Sequence, residues 1–446
     1  MPETGSRNTG IDDALNQARE AYATAAPRSL ARYVEATTVM PGGNTRTGQH
    51  HAPFPLAMAR AKGCHVWDLD GREYIDCLGD SDAGLYGHAH PAIRIAIDGA
   101  LDDGIASGAA SAAEVQFAST VCERFGLQRV RFGNSGTEAN AMAVSLGRIF
   151  TRRTNVLTFR GGWTGPVSGF GGALSLADGP SGYAVADYND IEGTRALIAG
   201  DLALVIVEPM FGGGCIPASA AFLAMLRQET TRVGALLVFD ERATSRLAFG
   251  GLQSVVGVKP DLTTLGTYLG GGLPLGAFGG RADIMDLLDP RRTVAVSLAD
   301  PSGPAEPSMA AGHAGLTRVY TRKAVETLNT RGETLRARLN GLCRAADAPL
   351  CFTGAGSMLA AHTVRAPVET PEDAAKADPR LQELFFFDML ARGILLDRRG
   401  TMALSLPAGD AECDALAAAV ESFLTLRRSL LLSTRMPEAH RARALD

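Results

Sequence analysis

Residues 235–241 read ALLVFDE, an apolar run that ends in two acidic residues. Residues 202–208 read LALVIVE and follow the same pattern. Near-continuous apolar runs of this length are typical of central strands in a parallel sheet whose two faces are covered by helices. Between about residues 76 and 310, short runs of this kind alternate with helical stretches. The sequence therefore predicts an α/β fold with ligands at the carboxyl ends of its strands.

The segments on either side of this α/β region have different patterns, and a chain of 446 residues is long enough for more than one domain. Residues 1–35 are polar and alanine-rich, which predicts an arm with one helix, and residues 53–74 alternate apolar runs with turns, which predicts a small antiparallel unit. Further on, leucines recur at helical spacing, at Leu328, Leu335, Leu339 and Leu342. We expect an N-terminal arm with part of a small domain at 1–75, a large domain at 76–315, a C-terminal small domain at 316–426 and a tail at 427–446.

Composition and charge argue against several classes of protein. The net charge of −5 gives no reason to expect nucleic acid or an anionic membrane as a partner. No apolar stretch has the length of a signal peptide or of a membrane-spanning helix. The seven cysteines are scattered and none forms a Cys-x-x-Cys pair, which favours a reducing compartment over a disulfide framework or a zinc site. We expect a cytoplasmic protein without a metal.

Residues 134–139, which read NSGTEA, lie between a strand-like segment and a helical one. Free backbone N–H groups at the start of a helix, together with Ser135, Gly136 and Thr137, would form a cradle for a phosphate group. The same residues also fit a capping box with Ser135 and Glu138 as its two polar members. Both interpretations can hold together, because a phosphate needs only the backbone donors.

Four further side chains and one short motif are ambiguous when each is taken alone. Asp240 ends a predicted buried strand, where its carboxylate could pair with a protonated ring nitrogen or form a structural ion pair. Arg46, Arg398 and Arg399 could each hold a carboxylate in bidentate fashion or form a salt bridge. The segment 87–91, GHAHP, is more typical of a structured turn than of a metal site.

In order and spacing, the chain resembles class III aminotransferases from about residue 30 to 425. The segments that carry the resemblance are 41–46 (PGGNTR), 87–91 (GHAHP), 134–139 (NSGTEA), 207–209 (VEP), 239–241 (FDE), 265–272 (LGTYLGGG) and 277–280 (AFGG). Segments 41–46 and 399–407 resemble the β-amino-acid aminotransferases, beside the glutamate-1-semialdehyde aminomutases. The resemblance implies fold type I, with a mostly parallel seven-stranded sheet between helices in the large domain and a small α+β domain from both termini. It also implies a homodimer with its active site at the subunit interface.

The resemblance assigns cofactor-binding roles to five residues. It implies that Ser135, Gly136 and Thr137 hold the phosphate of pyridoxal phosphate. Asp240 falls where a carboxylate pairs with the pyridine nitrogen of the cofactor. Trp163 falls where an aromatic ring, usually tyrosine, stacks on that ring.

The resemblance also implies a small anionic substrate. Arg46 and Arg399 fall where the β-amino-acid branch binds substrate carboxylates, and Arg398 takes the place of Arg399 if the register shifts by one residue. These three arginines are therefore the candidates for substrate recognition.

One position departs decisively from the family pattern. Where the family has a lysine after Leu-Gly, this chain reads Leu265-Gly266-Thr267. The hydroxyl group of Thr267 cannot form a Schiff base with pyridoxal, and it is a poor base at neutral pH. None of the remaining lysines, Lys62, Lys259, Lys323 and Lys376, lies in a motif that could replace the missing one. We therefore expect ordinary transamination to be lost.

Other departures fall at the same site. Arg242 stands where the family has a small apolar residue under the pyridine ring, and as the second residue after Asp240 it should lie beside that carboxylate. A buried guanidinium strongly favours such pairing, and the pair would compete for the ring nitrogen's partner. The family's Tyr-His pair is replaced by Trp163-Thr164, and the Gly-Thr that closes over the phosphate is replaced by Asp300-Pro301.

Three interpretations remain open. The first is a repurposed enzyme, with a suggested setting in secondary metabolism, that acts on a carboxylate-bearing, amino-acid-like substrate. It would bind pyridoxal or pyridoxamine phosphate non-covalently or not at all, and Thr267, Asp240, Arg242 and Trp163 would form its catalytic site. The second is a non-catalytic homologue that binds a partner protein. The third is a β-amino-acid aminotransferase with an engineered lysine-to-threonine change at position 267.

Overall fold

The computed structural model describes residues 10–79, 83–104, 109, 111–162, 182–293, 295–298 and 303–433. The strands are β1 Met58–Lys62, β2 His65–Asp68, β3 Glu73–Asp76, β4 Arg129–Gly133, β5 Asn155–Phe159, β6 Tyr183–Ala186, β7 Leu202–Val207, β8 Met210–Phe211, β9 Ile216–Pro217, β10 Leu236–Asp240, β11 Leu262–Leu265, β12 Gly276–Gly280, β13 Cys351–Ala355, β14 Met358–His362, β15 Ile394–Leu395 and β16 Thr401–Ala403. The helices are α1 Ile11–Ala25, α2 Pro27–Thr37, α3 Pro91–Asp102, α4 Ala112–Phe125, α5 Gly136–Thr151, α6 Ile191–Leu197, α7 Ala220–Val233, α8 Ala282–Met285, α9 Glu306–Ala314, α10 Arg322–Ala345, α11 Pro371–Ala375, α12 Pro379–Ala391, α13 Asp410–Leu426 and α14 Arg428–Ser433.

A seven-stranded sheet forms the centre of the molecule, in the order β4-β12-β11-β10-β7-β5-β6. The pairings of β11, β10, β7, β5 and β6 are parallel, whereas β12 runs antiparallel to both of its neighbours. This arrangement confirms the predicted α/β fold with a mostly parallel sheet. Because β10 is central, residues just after its carboxyl end lie over the middle of the sheet edge, where α/β proteins bind ligands.

The two apolar runs form the centre of this sheet because their side chains alternate between its two faces. Leu204, Ile206, Leu236 and Val238 pack in one cluster with the buried face of α5. Val205, Val207, Leu237 and Phe239 belong to a second cluster on the other face, together with α7. Full burial of each such side chain stabilises the fold by roughly 1.5–3 kcal/mol. Helix α5 approaches β7 closely, since a Cβ on Gly147 would lie 2.5 Å from Leu204 Cδ2.

A small lobe is assembled from both ends of the chain. Strands β1, β2 and β3 form the predicted antiparallel unit, and the short strand β15 pairs in parallel with β3, which brings Ile394 beside Ile75. Strands β13, β14 and β16 form a separate three-stranded sheet. Helices α10, α12 and α13 contribute buried faces to the same core, including Leu328, Phe385 and Phe423.

The N-terminal arm differs from expectation, because it contains two helices rather than one. Helix α1 ends at Ala25 and α2 begins at Pro27, since proline lacks the N–H group needed to continue the first helix and suits the first turn of a new one. None of the helices in the described segments is long and apolar enough to cross a membrane.

Candidate functional site

The carboxyl end of β10 carries a buried ion pair. Asp240 is 2% exposed and Arg242 is 7% exposed. The guanidinium of Arg242 donates from Nε to Asp240 Oδ1 at 2.7 Å and from Nη2 to Asp240 Oδ2 at 2.6 Å. This bidentate geometry is the strongest form of a carboxylate–guanidinium contact. The expected pairing of the two side chains is therefore present.

The backbone reason for this pairing differs from the one expected. Strand β10 ends at Asp240, so Arg242 lies in the turn that follows rather than on an extended strand. The backbone N–H of Arg242 also donates to Asp240 Oδ1, at 3.2 Å. Aspartate side chains commonly accept from the backbone two residues on, and this contact folds the turn so that Arg242 returns to its partner.

Two polar residues that the sequence argument missed complete the surroundings of Asp240. Asn140, on the buried face of α5, donates from Nδ2 to Asp240 Oδ2 at 2.8 Å. Thr264, which is aligned with Asp240 in the pairing of β10 and β11, donates to Asn140 Oδ1 at 2.6 Å. Each oxygen of Asp240 thus accepts two hydrogen bonds of 3.2 Å or less from Arg242 and Asn140, and the Thr264 hydroxyl lies a further 3.5 Å from Oδ1. A carboxylate has about four lone-pair sites, so these donors occupy its whole capacity.

The side chain of Arg242 also contacts the predicted phosphate cradle. A Cβ atom added to Gly136 would lie 2.4 Å from Arg242 Cδ and 2.8 Å from Arg242 Cγ. A Cβ on Gly266 would lie 2.9 Å from the Gly136 Cα atom and 3.3 Å from Arg242 Cγ. The aliphatic stem of Arg242 therefore occupies the space between the start of α5 and the loop that precedes Thr267.

Thr267 has a structural hydrogen bond instead of a reactive amine. Its hydroxyl donates to the backbone carbonyl of Arg242 at 2.7 Å. The residue has a φ of +48°, which is unusual for a β-branched side chain. Thr267 thus holds the turn that carries Arg242. The four lysines of the chain all lie in described segments with exposed side chains, so none reaches the buried pair from within this protomer.

The cradle at the start of α5 keeps its helix-capping geometry. Ser135 Oγ accepts from the backbone N–H of Glu138 at 3.1 Å, and Glu138 Oε2 accepts from the backbone N–H of Asn134 at 2.6 Å. The predicted capping box is therefore modified, because Glu138 reaches Asn134 rather than the N–H of Ser135. Ser135, Gly136 and Thr137 begin the helix, where backbone N–H groups are available to an anion.

Charge and burial shift the pKa values of Arg242 and Glu241 for different reasons. Burial alone would lower the pKa of Arg242, but the adjacent Asp240 raises it, so the guanidinium stays charged. Glu241 is completely buried, and this burial raises its pKa to about 7. Hydrogen bonds from the backbone N–H groups of Gln253 and Leu252 and from Thr244 partly offset that rise.

The candidate arginines for substrate binding are at the surface. Arg46 follows a short helical turn at Pro41–Gly43 and is exposed. Arg399 is 55% exposed and donates from Nε to Asp397 Oδ1 at 3.0 Å, and Arg398 is also exposed. Their role in binding a carboxylate stays a prediction. Trp163, Thr164, Asp300 and Pro301 lie outside the described residues.

The residues at this site do not fit a pyridoxal ring. The cofactor would have to span the distance between the cradle and Asp240, and the stem of Arg242 lies between them. A pyridine N–H would also have to donate to Asp240, whose oxygens already accept four hydrogen bonds. The structure thus retains the capped helix start and replaces the ring's partner with an internal one.

Comparisons with known proteins agree with the family resemblance and with the fold. The family model "Aminotransferase class-III" matches residues 47–416. The β-phenylalanine transaminase of Variovorax paradoxus is 44% identical over 429 residues, covering 95% of this chain and 99% of that protein. A glutamate-1-semialdehyde 2,1-aminomutase of Sorangium cellulosum is 37% identical over 397 residues, covering 84% and 90%. The crystal structure of a β-phenylalanine aminotransferase from Variovorax paradoxus has a TM-score of 0.92 at 45% identity, covering 95% of this chain and 99% of that one.

Proposed function

This chain belongs to the class III aminotransferase family, and from that premise we propose that it is an enzyme that does not run lysine-dependent transamination. It acts on a carboxylate-bearing, amino-acid-like substrate without a covalently bound pyridoxal cofactor. The observation that supports this proposal is the bidentate Arg242–Asp240 pair, which uses the carboxylate that the family resemblance assigns to the cofactor ring.

The missing amine removes two chemical roles at once. In the family, the lysine both anchors the cofactor and transfers protons, and proton transfer by a positioned base contributes roughly 10²–10⁴-fold to a rate. The Thr267 hydroxyl supplies neither role, and it donates to the carbonyl of Arg242. A chemistry based on fixed charges, with Arg242 stabilising developing negative charge, is the alternative that the residues of this site support.

The substrate class is proposed from the relatives. β-Phenylalanine, named in the description of the Variovorax paradoxus relative, combines a carboxylate with an amine. Arg46 and Arg399, with Arg398 as the alternative, are exposed cations able to bind such a carboxylate. A homodimer with the site at its interface belongs to the same proposal.

One observation favours a second candidate, a non-catalytic homologue that binds a partner. The oxygens of Asp240 are fully hydrogen-bonded within the chain, as a purely structural pair would be. The third interpretation, an engineered change at position 267, is disfavoured because a single engineered substitution would not account for Arg242.

An absorbance titration of the purified protein with pyridoxal and pyridoxamine phosphates tests the cofactor part of the proposal. We expect no stoichiometric tight complex with either compound, because Arg242 occupies the ring position. Thr267→Lys alone should not restore transamination, and Thr267→Val serves as the matched variant that replaces only the hydroxyl with a methyl group. Tight one-to-one binding by the wild-type chain, or transaminase activity in Thr267→Lys, would contradict the proposal.

Substrate binding distinguishes the enzyme from the non-catalytic homologue. We expect calorimetry to detect binding of a β-amino acid, weakened in Arg399→Gln or Arg46→Gln but not in Arg365→Gln. Arg365 is a suitable control because it is also exposed and paired with a nearby aspartate, Asp347. Mass spectrometry of the incubated mixture should show a converted product; an unchanged β-amino acid would favour the homologue without activity.

A further inference from the structure

Three residues with metal-binding side chains meet where the two ends of the chain form the small lobe. Cys64 and His65 lie at the start of β2, and Glu412 lies in the first turn of α13. One ligand atom from each residue lies within 4.8 Å of the other two. Among the described residues, no other group of three such side chains converges in this way. We propose that Cys64, His65 and Glu412 bind one zinc ion, a function separate from the Asp240–Arg242 site.

The three donor atoms match the chemistry of zinc. Zinc is bound in proteins by cysteine sulfur, histidine nitrogen and carboxylate oxygen. His65 Nε2 and Glu412 Oε1 are 3.6 Å apart. Two donors bonded to one tetrahedral zinc at their usual distances lie roughly 3.3 Å apart, so this pair needs only a small approach. A nitrogen, a sulfur and an oxygen together favour zinc over calcium or magnesium, which prefer oxygen alone.

The surroundings of the histidine suit a metal ligand. The other ring nitrogen, Nδ1, is buried and lies 3.0 Å from Glu73 Oε1, without the alignment of a hydrogen bond. Histidines that bind metals usually donate this second N–H to a carboxylate, which fixes the ring. Strand pairing makes the contact possible, because Glu73 is aligned with Trp67, two residues along β2 on the same face as His65. A metal on Nε2 would place the proton on Nδ1, next to Glu73.

The other two ligands are also oriented by their neighbours. Glu412 Oε2 accepts from the backbone N–H of Gly409 at 2.7 Å, which leaves Oε1 for His65. Cys64 is 4% exposed, and its Sγ lies 3.6 Å from the carbonyl of Pro407. Burial raises the pKa of the Cys64 thiol, and the Glu412 carboxylate raises it further. A divalent cation reverses this local charge balance and deprotonates a coordinating thiol.

The site differs from the metal sites that sequence patterns reveal. The sequence predicts no zinc because it lacks paired cysteines, but these ligands come from residues nearly 350 positions apart. The side chains of His65 and Glu412 are 31% and 21% exposed, so water is the natural fourth ligand. The ion would join β2 to α13 and thus stabilise the contact between the N-terminal and C-terminal parts of the small lobe.

Metal analysis of the full-length protein tests this inference. After dialysis against zinc and then against metal-free buffer, we expect one zinc per chain by mass spectrometry. Cobalt should give a thiolate-to-cobalt charge-transfer band in the wild-type protein. Cys64→Ser should abolish that band, and His65→Gln should weaken zinc binding at least tenfold. Cys122→Ser, which changes a cysteine in α4, is the matched control and should bind as the wild type does.

The Glu73→Gln variant provides a finer test, because Glu73 is not itself a ligand. Loss of such a partner typically weakens metal affinity about 10–100-fold. Absence of the cobalt band in the wild-type protein would overturn the proposal even if some variants fail to fold. So would zinc binding that is equally tight in the wild type, Cys64→Ser and His65→Gln.

Discussion

The start of α5 and the carboxyl end of β10 lie in contact, yet they match the pattern implied by the family resemblance to very different degrees. At the start of α5, Ser135, Gly136 and Thr137 keep both the family motif and the capped geometry. At the end of β10, Arg242 pairs with Asp240, the carboxylate that the family resemblance assigns to a cofactor. The first region works through backbone N–H groups, which every helix start provides. The second works through side chains, so one substitution alters its chemistry while the fold persists.

The two regions are linked through a single side chain. The stem of Arg242 packs on Gly136, and its guanidinium binds Asp240. The comparison therefore predicts that changes in one region are felt in the other, and variants can measure this coupling.

The largest expected effect follows from removing the carboxylate. Asp240→Ala leaves the buried guanidinium of Arg242 without its partner, which should cost about 3–5 kcal/mol of unfolding free energy. Urea unfolding followed by circular dichroism measures this loss. The control is Asp98→Ala, because the Asp98–Arg94 pair is exposed and its loss should cost less than about 1 kcal/mol. Equal losses in the two variants would show that the Asp240 pair is not desolvated.

A smaller loss of unfolding free energy is expected when a methyl group is added where Gly136 contacts Arg242. Gly136→Ala places a methyl group against the stem of Arg242 and should cost about 1–3 kcal/mol. In an Arg242→Ala background, the same change should cost markedly less, and a double-mutant cycle measures the difference. Gly99→Ala, which has open space around the new methyl group, is the control and should not destabilise the protein. The same cost in both backgrounds would mean that Arg242 does not form this contact.

Cofactor affinity tests whether Arg242, after the end of β10, blocks access to the phosphate cradle at the start of α5. Arg242→Val should raise the affinity for pyridoxal phosphate at least tenfold, which corresponds to about 1.4 kcal/mol. The reason is that the variant clears the space between the cradle and Asp240. Titration by absorbance or fluorescence measures the change, with Arg365→Val as a surface control. If affinity does not move, the blocking role of Arg242 is refuted.

The smallest expected effect concerns Glu241, whose buried carboxylate accepts hydrogen bonds from Thr244, Leu252 and Gln253. Burial raises the pKa of Glu241 to about 7 from its ordinary value of about 4.5. The folded state then holds a proton that the unfolded chain releases between these values, so this group's contribution to stability falls as pH rises through that window. Between about pH 6 and 7 the change should be about 1 kcal/mol.

Unfolding of wild type and Glu241→Gln at several pH values isolates this contribution. The glutamine variant should lack the fall, because its side chain does not titrate. Parallel pH curves for the two proteins would show that Glu241 titrates normally in the folded state.

Local sequence patterns predicted the features that depend on neighbours along the chain. The apolar runs predicted the strands β7 and β10. The two-residue spacing predicted that Arg242 lies beside Asp240, although it assumed an extended strand where the structure has a turn. The roles of Asn140 and Thr264 were missed because they depend on how α5 and β11 pack beside β10. A polar residue on each of two otherwise apolar buried faces was the signal available. Cys64, His65 and Glu412 gave no local signal, since only the folding of both chain ends into one lobe unites them.

The Arg242–Asp240 pair also has a historical consequence. Under the proposed function, a lysine introduced at position 267 would meet a ring site filled by Arg242, so that single change would bring no advantage to selection. Losing Arg242 first would leave a buried carboxylate without its cation and weaken the protein. Under the proposed function, each one-step route from this chain to lysine-dependent transamination passes through a neutral or harmful intermediate, so the ion pair would act as an evolutionary ratchet.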